Sequence, residues 1–311
     1  MPERVLILGG AGFIGSYLAR LHDKAGDEVH IAVRPGWQRP SPDFLPAITA
    51  IEVDLRDVEQ IEDLFATARP TLVYHLASRH PHSLGAPSEP SNDDWMIDLR
   101  NLQRIIDVAR RYRPEIRAFI RAGSLAEYGN ATVPSREDDR EDPSTLYGLS
   151  LAMGTQYLRF IQRDLPFIAI TARPGLTYGV GQCDRFLVPM LLQSCVSGQR
   201  FHVRDPAARR DMILVDDVAR GLMAIGRHDL PGGSIVNLCS GVALSNWRIA
   251  EAVCAAAGAA PGLLTFGPER ANPSVVWGST AKARELLGFS ARHAFAEGIE
   301  RTVRTLTARS S

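Results

Sequence analysis

The 311-residue chain is predicted to be an α/β protein built on a doubly wound parallel sheet. Two observations predict this. Short runs of branched apolar residues alternate with longer helical stretches over the first 173 residues or so. A glycine-rich segment, GGAGFIG, lies between the first apolar run and the first helix.

The elements follow in order. Arg4 to Leu8 (RVLIL) reads as a buried strand stopped by glycines, and Phe13 to Ala25 as a helix. Glu28 to Val33 is a second strand and Ile48 to Val53 a third, ending in Asp54. Val58 to Ala68 is helical, and Thr71 to Leu76 is a fourth strand. Trp95 to Tyr112 is a long amphipathic helix, and Ile116 to Ala122 a fifth strand. Tyr147 to Gln162 is another long helix, followed by the strand Phe167 to Arg173. After Pro174 glycines, prolines and short polar segments break the rhythm. Residues 1–173 are therefore expected to form a dinucleotide-binding domain. Residues 174–311 are expected to form a substrate-binding region over the carboxyl ends of the strands, with some segments returning to the first domain. His80 to Asn92, rich in Pro and Ser, reads as a loop at that edge.

Composition excludes several classes. The chain is 45% hydrophobic and 23% charged, which suits a soluble globular protein with a substantial core. Thirty-five basic residues balance 35 acidic ones, which argues against a general nucleic-acid or anionic-membrane binder. No apolar stretch is long enough to span a membrane, and the N-terminal apolar run is too short for a signal peptide, so a cytoplasmic protein is expected. Cys183, Cys195, Cys239 and Cys254 lie far apart without a CxxC pair, so they are expected to be reduced core thiols. His80-Pro81-His82 lacks a third ligand, and no metal is expected. Asp216-Asp217 reads as a helix N-cap. Lys24 and Lys282 are the only lysines.

The glycine segment carries the clearest chemistry. Gly9 allows a tight turn, Gly12 lets the backbone approach a pyrophosphate at the helix N-terminus, and Gly15 lets the helix pack closely on the strand. The second strand ends in Val33-Arg34. An acidic residue there would bond the ribose hydroxyls of NAD, whereas arginine suits the 2′-phosphate of NADP. NADP is therefore expected in preference to NAD, the alternative being a solvated loop arginine. Asp54 either accepts a bond from the adenine amino group or caps the helix starting at Val58.

Further motifs stand in one order: VDL at Val53 to Leu55, YHLAS at Tyr74 to Ser78, GSLAEYG at Gly123 to Gly129, Tyr147-Gly148, ARPGLTYGVG at Ala172 to Gly181, RDMILVDDVARG at Arg210 to Gly221, and NLCSG at Asn237 to Gly241. With GGAGFIG, this set resembles the extended short-chain dehydrogenase/reductase family of nucleotide-sugar epimerases, dehydratases and reductases, through to about Phe289. The resemblance implies a Rossmann-type fold. It implies cofactor contacts from Gly9, Gly12, Phe13, Ile14, Gly15, Arg34, Asp54, Leu55, Leu76, Ala77, Ser78, Tyr147 and Pro174. It implies a catalytic pair, with Ser124 holding the substrate oxygen and Tyr147 exchanging its proton during hydride transfer. It implies that Arg210 and Arg270 bind the diphosphate of a nucleotide-sugar substrate, and that two long helices pair in a homodimer.

The chain departs from the family where it matters. The pattern Tyr-x-x-x-Lys reads here as Tyr147-Gly148-Leu149-Ser150-Leu151, and Asp98 replaces the usual asparagine. The missing lysine would bond the nicotinamide ribose and favour the phenolate of the tyrosine. Oxidation of an alcohol needs tyrosinate as a base, whereas reduction of a ketone needs a protonated tyrosine, so the loss tilts towards reduction. Ala126 and Leu125 occupy the places where family dehydratases carry glutamate and aspartate, and Glu127, expected on a strand extension, would face the other side. Val180 to Pro189 and Val275 to Phe289, with Gly278-Ser279 in place of an aspartate common in epimerases, look more like NADP-dependent 4-ketoreductases. Reduction of a nucleotide-linked 4-keto-6-deoxy sugar is thus the leading expectation. A nucleotide-sugar epimerase that retains its cofactor and a catalytically silent dinucleotide-binding protein are the alternatives.

Overall fold

A computed structural model describes residues 2–38, 45, 48–78, 96–112, 115–129, 131–259 and 262–310; of residues 309 and 310 it describes the backbone only. The expected loop His80 to Asn92 and Trp95 lie outside the described residues.

The strands are β1 (Arg4–Leu8), β2 (Glu28–Val33), β3 (Thr49–Glu52), β4 (Leu72–His75), β5 (Ala118–Ala122), β6 (Ile168–Pro174), β7 (Leu176–Tyr178), β8 (Phe201–Val203), β9 (Arg209–Leu214), β10 (Ile235–Leu238), β11 (Ala243–Ser245), β12 (Leu264–Phe266) and β13 (Val275–Val276). The helices are α1 (Phe13–Lys24), α2 (Val58–Ala68), α3 (Ile97–Arg111), α4 (Leu146–Ile161), α5 (Leu187–Ser197), α6 (Val215–Arg227), α7 (Asn246–Ala256), α8 (Ala281–Leu287) and α9 (Phe295–Ser310).

Seven strands form one sheet in the order β10-β6-β5-β4-β1-β2-β3, every described pair parallel. This is the doubly wound architecture expected from the alternating pattern. Successive residues of β1 explain why both faces must be covered. Val5 and Ile7 enter a core with Leu18 of α1 and Leu222 of α6, while Leu6 and Leu8 enter another with Phe65 of α2, Ile105 of α3 and Leu158 of α4. The chain order reverses at β1 and β4, which opens a crevice at their carboxyl ends.

The second half of the chain does not stay apart. β10 adds an edge strand to the central sheet, and α6 packs on α1. The remaining strands form two small sheets, β11-β9-β13 with β7 beside β9, and β12-β8.

Three expectations need correction. The cap of α2 is Asp57, whose Oδ1 accepts from the amides of Glu59 and Gln60 at 3.0 and 3.4 Å; Asp54 is not the cap. Asp216-Asp217 does not cap α6, which starts after Leu214 without a side-chain cap. Asp217 instead accepts from the backbone amides of Arg292 and His293 and from Arg220, which ties the segment before α9 to the first turn of α6. The cysteines are not all core: Cys239 is buried, whereas Cys183, Cys195 and Cys254 are half-buried, and two of these thiols meet. The Sγ atoms of Cys195 on α5 and Cys254 on α7 are 3.7 Å apart, because those helices pack together.

Candidate active site

The glycine turn is built for close approach. Gly9 has φ +82°, a left-handed conformation, and a Cβ on it would lie 2.9 Å from the Ala77 nitrogen beyond β4. A Cβ on Gly15 would lie 2.3 Å from the Gly9 carbonyl oxygen, so Gly15 lets α1 pack on the turn itself rather than on the strand. The N-terminus of α1 has no side-chain cap hydrogen bond and no acidic residue in its first turn. Its leading amides therefore suit an anionic ligand such as a pyrophosphate. Phe13 and Ile14 open the helix that presents them.

The other cofactor candidates line the same carboxyl edge. Arg34 is exposed just beyond β2, in a turn closed by the Trp37 amide donating to its carbonyl at 3.1 Å. Asp54 and Leu55 follow β3, and the Asp54 carboxylate is paired with the Arg56 guanidinium at 2.6 Å. Leu76, Ala77 and Ser78 follow β4, where the Ser78 hydroxyl donates to Asp98 at the start of α3 at 2.6 Å. Pro174 ends β6 and pairs in register with Leu238.

Ser124 follows β5 and Tyr147 stands in the first turn of α4. Thr145 caps that helix by accepting from the Gly148 amide at 3.0 Å, which makes Leu146 its first residue and Tyr147 its second. The Ser124 hydroxyl lies close enough to the Tyr147 phenol to favour its ionised form. The structure thus brings together two residues 23 positions apart. Desolvation pushes the Tyr147 phenol up to about 12, with Glu127 and Asp98 adding to the rise; Arg121 and the Ser124 hydroxyl oppose it. Leu151, one helical turn further on, is buried at 2% exposure.

Glu127 is the largest departure from the sequence reading. It lies not on a strand extension but in a 3-10 turn, Leu125–Glu127, capped by Ser124. The turn swings its carboxylate into the interior, where it is fully buried. It accepts from the Ser124 amide at 3.0 Å, from the Thr155 hydroxyl at 2.7 Å and from Arg173 Nε at 2.9 Å. Arg173 also reaches Glu141 at 2.7 Å and lies over the Tyr128 ring, 4.4 Å from its centroid. Arg121, on β5, donates to Thr155 at 3.2 Å. None of these roles was found from the sequence. The available signals were an arginine within the apolar strand Ala118–Ala122, another in Ile168–Pro174, and a glycine inside α4.

The two arginines expected to bind the diphosphate, Arg210 and Arg270, both interact with one carboxylate. Arg270, 72% exposed, lies 3.6 Å from Asp205, which also acts electrostatically on Arg210. Arg210 donates to the carbonyls of Arg209 and Ser274 at 2.8 and 3.0 Å and to the Ser274 hydroxyl at 2.9 Å. The strand after Ser274 leads back to the turn that follows Ser124. Val276 packs against the cluster of Leu125, Tyr128 and Cys239, and a Cβ on Gly278 would lie 2.9 Å from a Leu125 methyl. A 660 Å³ depression lined by Glu3, Asp27, Arg117 and Arg227 lies at the opposite, N-terminal edge of the strands, away from this chemistry. Among the described residues no cluster of metal-ligating side chains occurs, and no helix is long and apolar enough to cross a membrane.

Comparison with known proteins agrees with this architecture. Residues 5–239 match the NAD dependent epimerase/dehydratase family, and the chain belongs to that family. It is 27% identical to the low-salt glycan biosynthesis protein Agl12 of Haloferax volcanii, over 96% of this chain and 97% of the relative. It is 25% identical to a dTDP-glucose 4,6-dehydratase of Streptomyces niveus, over 96% and 91%. The structure of the Thermus thermophilus UDP-glucose 4-epimerase in complex with NAD superimposes with a TM-score of 0.84 at 25% identity, covering 97% of this chain and 98% of that one.

Proposed function

We propose that the protein reduces a nucleotide-linked 4-keto-6-deoxy sugar, with Ser124 and Tyr147 as the catalytic pair and NADPH as the hydride source. The observation that carries this reading is the setting of Tyr147: beside Ser124, half-buried, and acted on by two carboxylates with leucine in place of the helix lysine. Such a phenol is protonated at neutral pH and so is ready to act as an acid.

The bound nicotinamide would supply hydride. The uncapped amides at the N-terminus of α1 would hold its pyrophosphate and Arg34 the 2′-phosphate. Leu55, Leu76, Ala77, Ser78 and Pro174 border the same crevice. Ser124 would hold the substrate carbonyl oxygen and orient it towards Tyr147, which gives that oxygen a proton as hydride reaches the carbon. Residues 174–311 would form most of the sugar-nucleotide side, with Arg210 and Arg270 on the diphosphate. The positions of the dehydratase carboxylates, Leu125 and Ala126, carry no acid for the elimination of water, and Glu127 is engaged in the core. We also propose a homodimer through α3 and α4; Phe160 on α4 is 69% exposed.

The test is a panel of GDP-, dTDP-, CDP- and UDP-linked 4-keto sugars with deuterated NADPH and NMR of the product. Deuterium at the former carbonyl carbon is expected. A second reading, nucleotide-sugar epimerase, is favoured by similarity to proteins such as the Thermus epimerase. It predicts sugar inversion without net cofactor use.

A further inference from the structure

A family tyrosine without its lysine needs another source of alignment and of electrostatic control. We propose that Glu127, bridged to Ser124, Thr155 and Arg173 and flanked by Arg121, is the positioning residue that supplies both, locking the catalytic pair together and setting the charge that faces the Tyr147 hydroxyl. The inference rests on the reading of Tyr147 as the proton donor.

The first part stands on geometry. One carboxylate touches three elements that must stay in register. It accepts from the Ser124 amide in the turn after β5, from Thr155 on α4 and from Arg173 on β6. Thr155 lies eight residues beyond Tyr147, on the same face of the helix two turns away. The Ser124 hydroxyl accepts from the Ala126 amide at 3.1 Å, so the turn that Glu127 closes also directs that hydroxyl. A shift of the helix against the turn would break the Thr155 bond and leave a buried carboxylate partly unsatisfied.

The second part stands on where the charges sit. Leu151 occupies the place of the lysine, between Tyr147 and Thr155 on that helix face. Arg121 fills a slot just beyond it. A Cβ on Gly154 would lie 2.5 Å from its guanidinium, so the side chain needs a glycine there. Among the groups whose charge or dipole acts on Tyr147 are Glu127 from the strand-end turn, Asp98 from α3, Arg121 from β5 and the Ser124 hydroxyl. Behind Glu127 stand Arg173 from β6 and Glu141, and beyond Arg121 lies His75 from β4. The lysine of the family favours phenolate, whereas the two carboxylates here favour the phenol. Arg121 offsets the charge of Glu127 without putting a cation at position 151.

The experiment follows the ionisation of Tyr147 directly and needs no substrate. The seven tyrosines are replaced biosynthetically by a fluorinated tyrosine, whose phenol is more acidic, and followed by ¹⁹F NMR against pH; Tyr147→Phe assigns the resonance. Glu127→Gln is expected to lower the midpoint of that resonance by about half a pH unit or more, and Arg121→Met to raise it by a similar amount. Thr155→Val changes no charge and is expected to leave the midpoint in place. It should cut kcat by about tenfold with little change in KM, because it frees the helix from the turn. A Glu127 with a merely structural role would not move the titration. A midpoint unmoved in a folded Glu127→Gln or Arg121→Met protein overturns the proposal; if Glu127→Gln does not fold, the arginine variant decides. A wild type that turns over none of the sugars, with the midpoints moving as stated, would overturn the proposed reaction and leave the assignment of Glu127 standing.

Discussion

Glu127 Oε2 accepts a hydrogen bond from Thr155 Oγ1 at 2.7 Å, which couples the turn that carries Ser124 to the helix that carries Tyr147. Both partners are fully buried, so the bond acts where water does not compete. The proposed alignment of Ser124 with Tyr147 thus rests on a bond in the protein interior and not on a lysine in the helix.

Tyr147 is the group on which the proposed chemistry depends. Tyr147→Phe removes the proton donor and keeps the ring, so turnover is expected to fall by about 10²–10⁴-fold while NADPH affinity holds. Ser124→Ala should cost less, because the tyrosine remains. Stopped-flow reduction rates beside NADPH titration by fluorescence separate the two effects. Near-native turnover of the phenylalanine variant would place the proton elsewhere.

Cofactor choice is expected to rest on Arg34, exposed at the carboxyl end of β2. NADPH should bind more tightly than NADH, and Arg34→Ala should erase most of the difference. A charged contact of this kind contributes about 1.5–3 kcal/mol, or roughly ten- to a hundredfold. Calorimetric titration of both cofactors checks this, and equal affinities in the wild type would count against it.

Acid stability is expected to depend on His75. It is 5% exposed, and its Nδ1 finds no hydrogen-bond partner among the described residues. Burial, with Arg121 nearby, pushes its pKa down to about 3 from an ordinary 6.5. Between those values the unfolded chain binds a proton that the folded protein refuses. Stability therefore rises with pH across this window and is lost as pH falls through it, with a slope approaching about 1.4 kcal/mol per pH unit from this residue. Urea unfolding from about pH 7 to pH 4 should show a shallower decline in His75→Leu than in the wild type. Parallel declines would show that the imidazole is not the cause.

The buried arginine of β6 gives a fourth test. Arg173 is fully buried between Glu127 and Glu141. Arg173→Met keeps much of the volume but strands two carboxylates, so a loss of about 3–5 kcal/mol is expected. Chemical denaturation measures it, and a loss under about 1 kcal/mol would mean that the pairs contribute little.

The sequence made the strands and the cofactor turn legible because their causes are local. Alternating apolar runs reveal β1 to β6, and Gly15 is required by a contact within its own segment, although Gly9 also answers to Ala77 beyond β4. Ser124 and Tyr147 were legible only through the ordered motifs. What stayed hidden depends on long-range packing. Glu127 was misplaced because its direction is decided by Thr155 and Arg173, 28 and 46 residues away. The same holds for Cys195 and Cys254, brought together by two helices whose contact no local pattern announces.

The most direct test of the central claim is the stoichiometry of NADPH oxidised per sugar converted, measured by absorbance and NMR on one sample of a nucleotide-linked 4-keto-6-deoxy sugar. The account predicts equimolar NADPH loss and 6-deoxy sugar formed, with Tyr147→Phe abolishing both. Sugar conversion without net NADPH loss, or no conversion with any of the four nucleotide series, would contradict it.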